Sequence, residues 1–577
     1  MSKPLSPEAF KSYCVYQIYP ASFADANGDG MGDLAGIQSK LEYIRNLGVN
    51  VIWLSPIYRS PQKDMGYDIS DYQDVDPMYG TLGDWDSLLK ETHKAGMRMI
   101  MDLVVNHTSD QHSWFKESRS SKSNPKRDWY IWRPPKFDAE GNRKPPNNWA
   151  GHFGGSVWEW DKTTQEYYLH LYATEQPDLN WENPEVRQEV WRIMRWWMDK
   201  GCDGFRMDVI NMISKVPGLP DGEITRPGEQ YQPGTNPRVH GYIQEMHREV
   251  LSRYPNYFTV GESPFTHDPH DLLPYVLPER KELQMMFEFE FADIDRIHNR
   301  LVPRIPSLPE IKSVINKWQT FMFKHGGWNS LYMENHDQEV LRFRALQNDL
   351  DRFWSVGAKL LAILHTTQRG TVFIYQGEEI GATNVPREWT IEEYKDVATI
   401  NFYNKMLQAR KGSGTDEPDM SDVMDGINRK ARDNARVPMQ WDDSAHAGFT
   451  SGTPWMRVND NYKHINSKSQ IDDVRSIFSF WKTMIGVRKA HPLLVHGDFV
   501  LLAPEDEKIF MYTREHNGEK ALVVMNFSKD EETVTLPESL GTVGKIIAVN
   551  VAREKEPELE TKITLEPYEG QVWLLRP

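Results

Sequence analysis

Eight short runs of β-branched and apolar residues recur along the first two-thirds of the chain, and longer amphipathic stretches separate them. The runs are Val15–Tyr19, Val51–Ser55, Arg98–Val105, Gly204–Val209, Phe258–Glu262, Met285–Phe289, Ser330–Glu334 and Val372–Tyr375. Helix-like segments such as Leu34–Leu47, Asp84–Ala95 and Pro184–Lys200 lie between them. A parallel strand is buried on both faces, reads as a near-continuous apolar run, and needs a crossover to reach its neighbour. The alternation therefore predicts βαβ units and a parallel sheet. Eight strands, with no glycine-rich dinucleotide fingerprint after the first, favour an α/β fold closed as a (β/α)8 TIM barrel over an open doubly wound sheet.

The spacing of the runs is uneven. About a hundred residues separate Val105 from Gly204, far more than one helix requires. Within that gap His107–Ala173 is rich in Trp, Pro, Gly and Asn and reads as an inserted subdomain, residues 107–173. Two more excursions, Lys215–His240 and Gly381–Phe449, leave the fourth and eighth runs. All three start from C-terminal strand ends, the face on which barrel enzymes build their sites, so they are expected to form pocket walls and lids. Residues 1–106 and 174–500 are thus the two parts of the barrel. From 501 to 577 the pattern becomes that of a small antiparallel, β-sandwich-like domain. Its strand-like runs are Ile509–Thr513, Ala521–Asn526 and Val572–Leu575, with turns expected at Asn517-Gly518 and Glu569-Gly570.

The formal net charge of −16 disfavours a nucleic-acid or anionic-membrane partner and leaves a neutral small molecule unaffected. No run of 18 apolar residues suggests a membrane span, and residues 1–6 carry no apolar signal segment, so a cytoplasmic protein is expected. Cys14 and Cys202 are too few for a disulfide framework and too far apart in sequence for a zinc motif; they are read as buried free thiols. Most of the 20 tryptophans are expected in the core and the loop layer, with few left to stack on a ligand.

Chemistry concentrates at the strand ends. In Gly204-Phe-Arg-Met-Asp-Val209, side chains two apart point the same way, so Arg206 lies beside Asp208 and is expected to keep that carboxylate ionised, as a nucleophile requires. The next run ends in Gly261-Glu262, and adjacent barrel strands bring Asp208 and Glu262 together. Two carboxyl groups about 5–5.5 Å apart suit a retaining glycosidase. An acid among carboxylates holds its proton near neutrality, which suits Glu262 to general acid/base work. Glu334-Asn-His-Asp-Gln338 supplies a third carboxylate, Asp337, able to face positive charge on a sugar ring. Any one of these motifs alone is more often a structural ion pair; their order on successive strand ends carries the weight.

These residues resemble the α-amylase family of glycoside hydrolases, and within it the oligo-1,6-glucosidase and maltase branch. Asp102-Leu-Val-Val-Asn-His107, Gly204–Val209, Gly261-Glu262 and Asn335-His-Asp337 resemble the family's four signatures, and Gln176–Asn180 resembles a segment marking the branch. The resemblance implies Asp208 as nucleophile, Glu262 as acid/base and Asp337 as transition-state stabiliser. It implies that His107 and His336 bind the sugar at the cleavage point, with Arg206 beside the nucleophile. Asp64 and Tyr67 would close the pocket around the non-reducing end, and Arg436 would serve a further subsite, with Arg432 as the alternative. The implied activity is exo-hydrolysis of short α-glucosides. Val209, directly after the nucleophile, goes in this branch with isomaltose-type (α-1,6) activity. The alternatives are an α-1,4-preferring or sucrose-splitting enzyme, with transglucosylation, and a sucrose isomerase. The isomerase is disfavoured because Ala292-Asp-Ile-Asp-Arg296 replaces the isomerases' Arg-Leu-Asp-Arg-Asp stretch. The retained carboxylates argue against a non-catalytic, transporter-associated relative. Oligomeric state, monomer or homodimer, stays open.

One motif stands apart. Asp25-Ala-Asn27-Gly-Asp29-Gly-Met31-Gly-Asp33 puts oxygen ligands at alternating positions around glycine turns, as hard cations prefer. It resembles half an EF-hand loop with Gly36 where the twelfth-position Glu would stand. In the resembled branch this loop holds structural Ca2+ or Mg2+, with the Met31 carbonyl as a further ligand.

Overall fold

The computed structural model describes residues 8–222, 238–297, 301–338, 350–412, 417–540, 543–553 and 557–576. The eight expected strands are β1 (Cys14–Ile18), β2 (Val51–Leu54), β3 (Arg98–Leu103), β4 (Gly204–Met207), β5 (Phe258–Glu262), β6 (Met285–Phe287), β7 (Ser330–Tyr332) and β8 (Thr371–Tyr375). They form one sheet in the order β6-β5-β4-β3-β2-β1-β8-β7, with every ladder parallel. The two end strands lie side by side, and side chains hold the seam. The Ser330 hydroxyl donates to the Met286 carbonyl at 2.6 Å, and the Tyr332 hydroxyl to the Glu288 carbonyl at 2.5 Å.

Register decides which side chains meet. Arg206 on β4 stands opposite Asp102 on β3 and Val260 on β5. Gly204 lets the strands approach: its φ is +150°, and a Cβ there would lie 1.9 Å from the Phe258 carbonyl oxygen. Several strands are shorter than their apolar runs. β4 stops at Met207 and β7 at Tyr332, so Asp208 and Asp337 stand on the loops just beyond the ladder.

The expected helix Leu34–Leu47 is two helices, Leu34–Ser39 and Leu41–Leu47, parted at Lys40, whose ammonium lies 4.2 Å from the Trp441 ring centre. Between 107 and 173 the chain forms the helix Ser113–Ser120 and a three-stranded sheet of Trp132–Arg133, Glu166–Leu169 and Trp158–Asp161. Leu219, from the Lys215–His240 excursion, joins that sheet's apolar cluster; residues 223–237 of the excursion lie outside the described residues. The Gly381–Phe449 excursion carries the helices Val397–Lys411, Ser421–Lys430 and Asp433–Arg436.

The C-terminal sheet consists of β9 (Val500–Leu502), β10 (Ile509–His516), β11 (Glu519–Asn526), β12 (Gly544–Val549) and β13 (Gly570–Leu575), antiparallel in the order β9-β10-β11-β13-β12. Asn517 and Gly518 both have positive φ, the two-residue hairpin expected of that dipeptide. The turn expected at Glu569-Gly570 falls earlier. Gly570 already begins β13, and the chain turns over Glu566–Glu569, with the Glu569 N–H donating to the Glu566 carbonyl at 3.0 Å. Arg514 on β10 is fully buried and bonds only carbonyls in the described hydrogen bonds, among them Thr367 at the end of the barrel helix Leu350–Thr367. Burial pushes its guanidinium down to about 9, a cost offset by capping that helix's negative end.

Cys14 and Cys202 are buried free thiols. Trp53, Trp85, Trp149, Trp181, Trp191, Trp197, Trp389, Trp481 and Trp573 are among the largest fully buried side chains, in keeping with a structural role for most tryptophans. Among the described residues no helix is long and apolar enough to cross a membrane.

Candidate active site

One guanidinium organises the C-terminal rim of the barrel. Arg206 Nη1 donates to Asp102 Oδ1 and Asp208 Oδ1, each at 2.8 Å, and Nη2 pairs with Glu262 Oε2 at 2.7 Å. Its planar fork suits this bridging in a way a lysine could not. All four side chains are nearly buried. The two carboxyl groups expected to meet are thus held on one guanidinium.

Burial pushes the Asp208 carboxyl well above its ordinary range, and Arg206 pulls it back down, the direction that the sequence motif implies. That one cation serves three carboxylates. Asp102 is likewise lifted by burial, to about 6.

Val209 follows with φ 36° and ψ 41°, a left-handed conformation costly for a β-branched residue. That twist turns its N–H onto Glu262 Oε2 at 3.1 Å. With Arg206 Nη2 on the same atom, Oε2 is the oxygen occupied by donors, and a proton on Glu262 belongs on Oε1.

A second layer stands behind this floor. Gln17 Nε2 lies 2.8 Å from His336 Nδ1, His336 Nε2 lies 2.7 Å from the Tyr67 hydroxyl, and that hydroxyl donates to Asp102 Oδ2 at 3.1 Å. Burial pushes His336 down to about 3, so the ring is neutral, and the chain of donors assigns its proton to Nε2. Tyr67 and His336 stack 5.2 Å apart and nearly parallel.

A cavity of about 710 Å³ opens above. Asp64, Tyr67, His107, Asp208, Val209, Glu262 and Asp337 lie on its wall, as the sequence motifs imply. Arg206, His336 and Arg436 do not line it and stand one layer back. Of the two arginines left open by sequence, Arg432 lines the cavity: its Nη1 reaches Asp337 Oδ1 at 3.2 Å and its Nη2 reaches Asp64 Oδ1 at 3.3 Å. Arg436 backs Asp337 from behind, at 2.6 Å. Burial raises Asp64 to about 6, with Arg432 and Arg436 pulling the other way.

Two of the three excursions form walls, and no described residue of Lys215–His240 is on the cavity wall. His152, Phe153 and Tyr172 come from the first, and Asp396, Phe402, Lys405 and Arg432 from the one after β8. The Ala292–Arg296 stretch also reaches the wall through Ala292, Asp293 and Arg296. Two contributors are not singled out by sequence. Asp102 is only one letter of a signature until register with Arg206 gives it a role. Gln176 is only part of a branch-marking segment until its Nε2 is seen to donate to Asp64 Oδ2, at 3.1 Å. No tryptophan is on the described wall, whose apolar rings are Phe153, Phe265, Phe289 and Phe402.

The Asp25–Asp33 loop follows β1, away from these residues. Asp25 accepts from the N–H groups of Gly28 and Gly30 and from the Thr450 hydroxyl; Asn27 accepts from Asp29; Asp29 accepts from Met31. Asp33 accepts from Ala26, Asn27 and Gly36. A carboxylate offers about four acceptor positions, so each acid retains at least one. Among the described residues no three acidic, His or Cys side chains already converge as a ligand triad. The donor chemistry, all oxygen, fits a hard cation. Gly36 cannot be exchanged for the EF-hand glutamate, because a Cβ there would lie 2.0 Å from the Ala24 carbonyl oxygen.

Known proteins share both sequence and fold with this chain. The family model for the alpha amylase catalytic domain matches residues 17–497, and that for the alpha-amylase SusG C-terminal domain matches residues 509–572. An oligo-1,6-glucosidase of Parageobacillus thermoglucosidasius is 48% identical over 98% of this chain and 99% of its own length. An alpha-glucosidase of Schizosaccharomyces pombe is 44% identical over 99% of this chain and 98% of its own. The crystal structure of Bacillus licheniformis trehalose-6-phosphate hydrolase superposes with a TM-score of 0.90 at 42% identity, covering 99% of this chain and 100% of that one. With its motifs ranged on one barrel rim and matches of this extent, the chain belongs to the alpha-amylase family.

Proposed function

We propose that the protein is a retaining α-glucosidase that removes single glucosyl units from the non-reducing end of short α-glucosides, with a preference for α-1,6 linkages. The observation that carries this is the single Arg206 guanidinium bridging Asp208 and Glu262 beneath the cavity. Arg206 occupies Asp208 Oδ1, so Oδ2 is the oxygen to attack C1. As that bond forms, the C1–O bond of the leaving sugar breaks, and its oxygen takes the proton from Glu262 Oε1. In the second half Glu262 removes a proton from water, which displaces Asp208 and returns the starting configuration. Asp337, held by Arg432 and Arg436, faces the positive charge that develops on the ring. Asp64, bonded to Gln176 and Arg432, supports exo-action by closing the glycone end. Capture of the glucosyl-enzyme by a sugar in place of water gives transglucosylation at the same site. Buried free thiols suit a reducing, cytoplasmic setting.

Val209 on the cavity wall supports the α-1,6 preference. The test is a panel of glucose disaccharides and sucrose with products identified. Isomaltose should be cleaved more efficiently than maltose. Val209→Thr keeps the β-branch, hence the backbone preference, and should shift the isomaltose-to-maltose ratio by about 10-fold, at the scale of one methyl-for-hydroxyl exchange. Equal or better efficiency on maltose, unmoved by the substitution, contradicts the preference.

A structural Ca2+ or Mg2+ in the first loop is proposed with it, held by Asp25, Asn27, Asp29, the Met31 carbonyl and Asp33. The cation would tie this loop to the segment at Thr450–Trp455, which already bonds Asp25 and Gly30. Chelation should lower Tm by about 2–8 °C, reversed by added calcium, with initial rates at 25 °C unchanged. A Tm indifferent to both treatments contradicts it.

A further inference from the structure

The Lys215–His240 excursion begins with a buried ammonium for which the proposed chemistry has no use. Lys215 Nζ donates to Asn106 Oδ1 at 2.6 Å and to the Met212 carbonyl at 2.8 Å, and pairs with Asp178 Oδ2 at 2.7 Å. Asn106 is fully buried. Its Nδ2 has Asp178 Oδ2 at 3.2 Å and His107 Nδ1 at 3.2 Å. The amide therefore has a cation at its oxygen and an anion at its nitrogen. A flipped amide would set its N–H groups against the ammonium, which has no acceptor, and its oxygen against a carboxylate, which has no hydrogen.

That orientation decides the state of His107. Asn106 has two hydrogens and two acceptors, so one hydrogen goes to His107 Nδ1, which must be the unprotonated nitrogen. The proton of the neutral ring is then on Nε2, which lies 3.1 Å from the Tyr67 carbonyl. Gln176 Nε2 also approaches His107 Nε2, at 3.1 Å, but it has Asp64 Oδ2 and the Tyr67 carbonyl as acceptors for its own two hydrogens. Burial holds the ring neutral, pushed down to about 4. His107 lines the cavity, whereas Lys215 does not.

We infer that Lys215 is a positioning residue: by pinning the Asn106 amide it keeps the proton of His107 on Nε2, where it bonds the Tyr67 carbonyl and fixes the imidazole in the cavity wall against the bound sugar. The inference rests on reading the cavity as a glucoside site. A lysine fits this task because its ammonium is a compact donor without acceptor capacity, so it tolerates one amide orientation only.

The test is a double-mutant cycle on p-nitrophenyl α-D-glucoside. Lys215→Met should lower kcat/KM about 10-fold, the scale of one lost hydrogen bond in the wall of the site. In a His107→Ala background the same substitution should cost less than about twofold, because the group it acts through is gone. Equal losses in both backgrounds overturn the relay, since a general structural role would be felt either way. Asn106→Asp leaves Lys215 in place and removes the N–H that faces His107. It should repeat the pattern, and it decides the matter alone if Lys215→Met does not fold. Nitrogen NMR of histidine-labelled protein should find His107 protonated on Nε2 in the wild type and redistributed toward Nδ1 in either variant; an unchanged tautomer overturns the inference. A wild type with no turnover of α-glucosides would sink the glucosidase reading, whereas an active wild type with additive losses sinks only the relay.

Discussion

Asp208→Asn is expected to lower kcat on p-nitrophenyl α-D-glucoside by about 10⁴- to 10⁶-fold, the scale for deleting a catalytic nucleophile. The fold should survive. Asparagine has nearly the same volume, and its Oδ1 can still accept from Arg206 Nη1. An activated aryl leaving group does not rescue this variant, because no bond to C1 can form without a carboxylate oxygen. Turnover above about 1% of wild type, with contamination excluded, would contradict the assignment, since the uncatalysed background lies far lower.

Arg206→Met should cost both stability and activity. Methionine roughly fills the aliphatic volume but leaves Asp102, Asp208 and Glu262 without the cation they share. Removing one side of a buried ion network typically costs about 3–5 kcal/mol. The sign of the pH effect follows from the same charges. Arg206 pulls the Asp208 and Asp102 carboxyls down against burial. Without it both hold their protons more tightly, and the acid limb of the kcat/KM–pH profile should move to higher pH. Arg206→Lys should restore stability in part but not the bridge, because one ammonium cannot present two coplanar nitrogens to two strands. An unshifted acid limb in a folded Arg206→Met protein would show that the guanidinium does not set the titration of Asp208.

Much of this site is legible in the amino-acid sequence. The β4 and β5 runs are buried on both faces, so their composition is distinctive, and the polar residues that interrupt them stand out. What local pattern does not supply is register and depth. Arg206 meets Asp102 only because β3 and β4 pair in one register, and Arg432 meets Asp64 across most of the chain. Both contacts are products of barrel closure, so sequence alone does not choose between Arg432 and Arg436. His336 and Arg436 belong with Asp337 yet stand behind the wall, since a motif fixes neighbours in sequence and not the layer each side chain occupies. Depth matters to Asp208 as well, because burial works against its arginine. A two-residue motif shows one cation beside one anion, while the folded rim divides that cation among three. The C-terminal strands Glu532–Thr535 and Gly544–Val549 are hidden in the sequence because only one residue of each is buried, whereas Lys562–Leu565 alternates as a strand should but is only four residues long.

Covalent capture tests the central claim most directly. Brief reaction with 5-fluoro-α-D-glucosyl fluoride, which slows the second half of the cycle, should leave one sugar attached per protein molecule. Proteolysis and mass spectrometry should then place it on the carboxylate at position 208. A label on Glu262 or Asp337, or no label together with β-glucose as the first product of hydrolysis, would mean that the two carboxyl groups joined by Arg206 do not divide the work as nucleophile and acid.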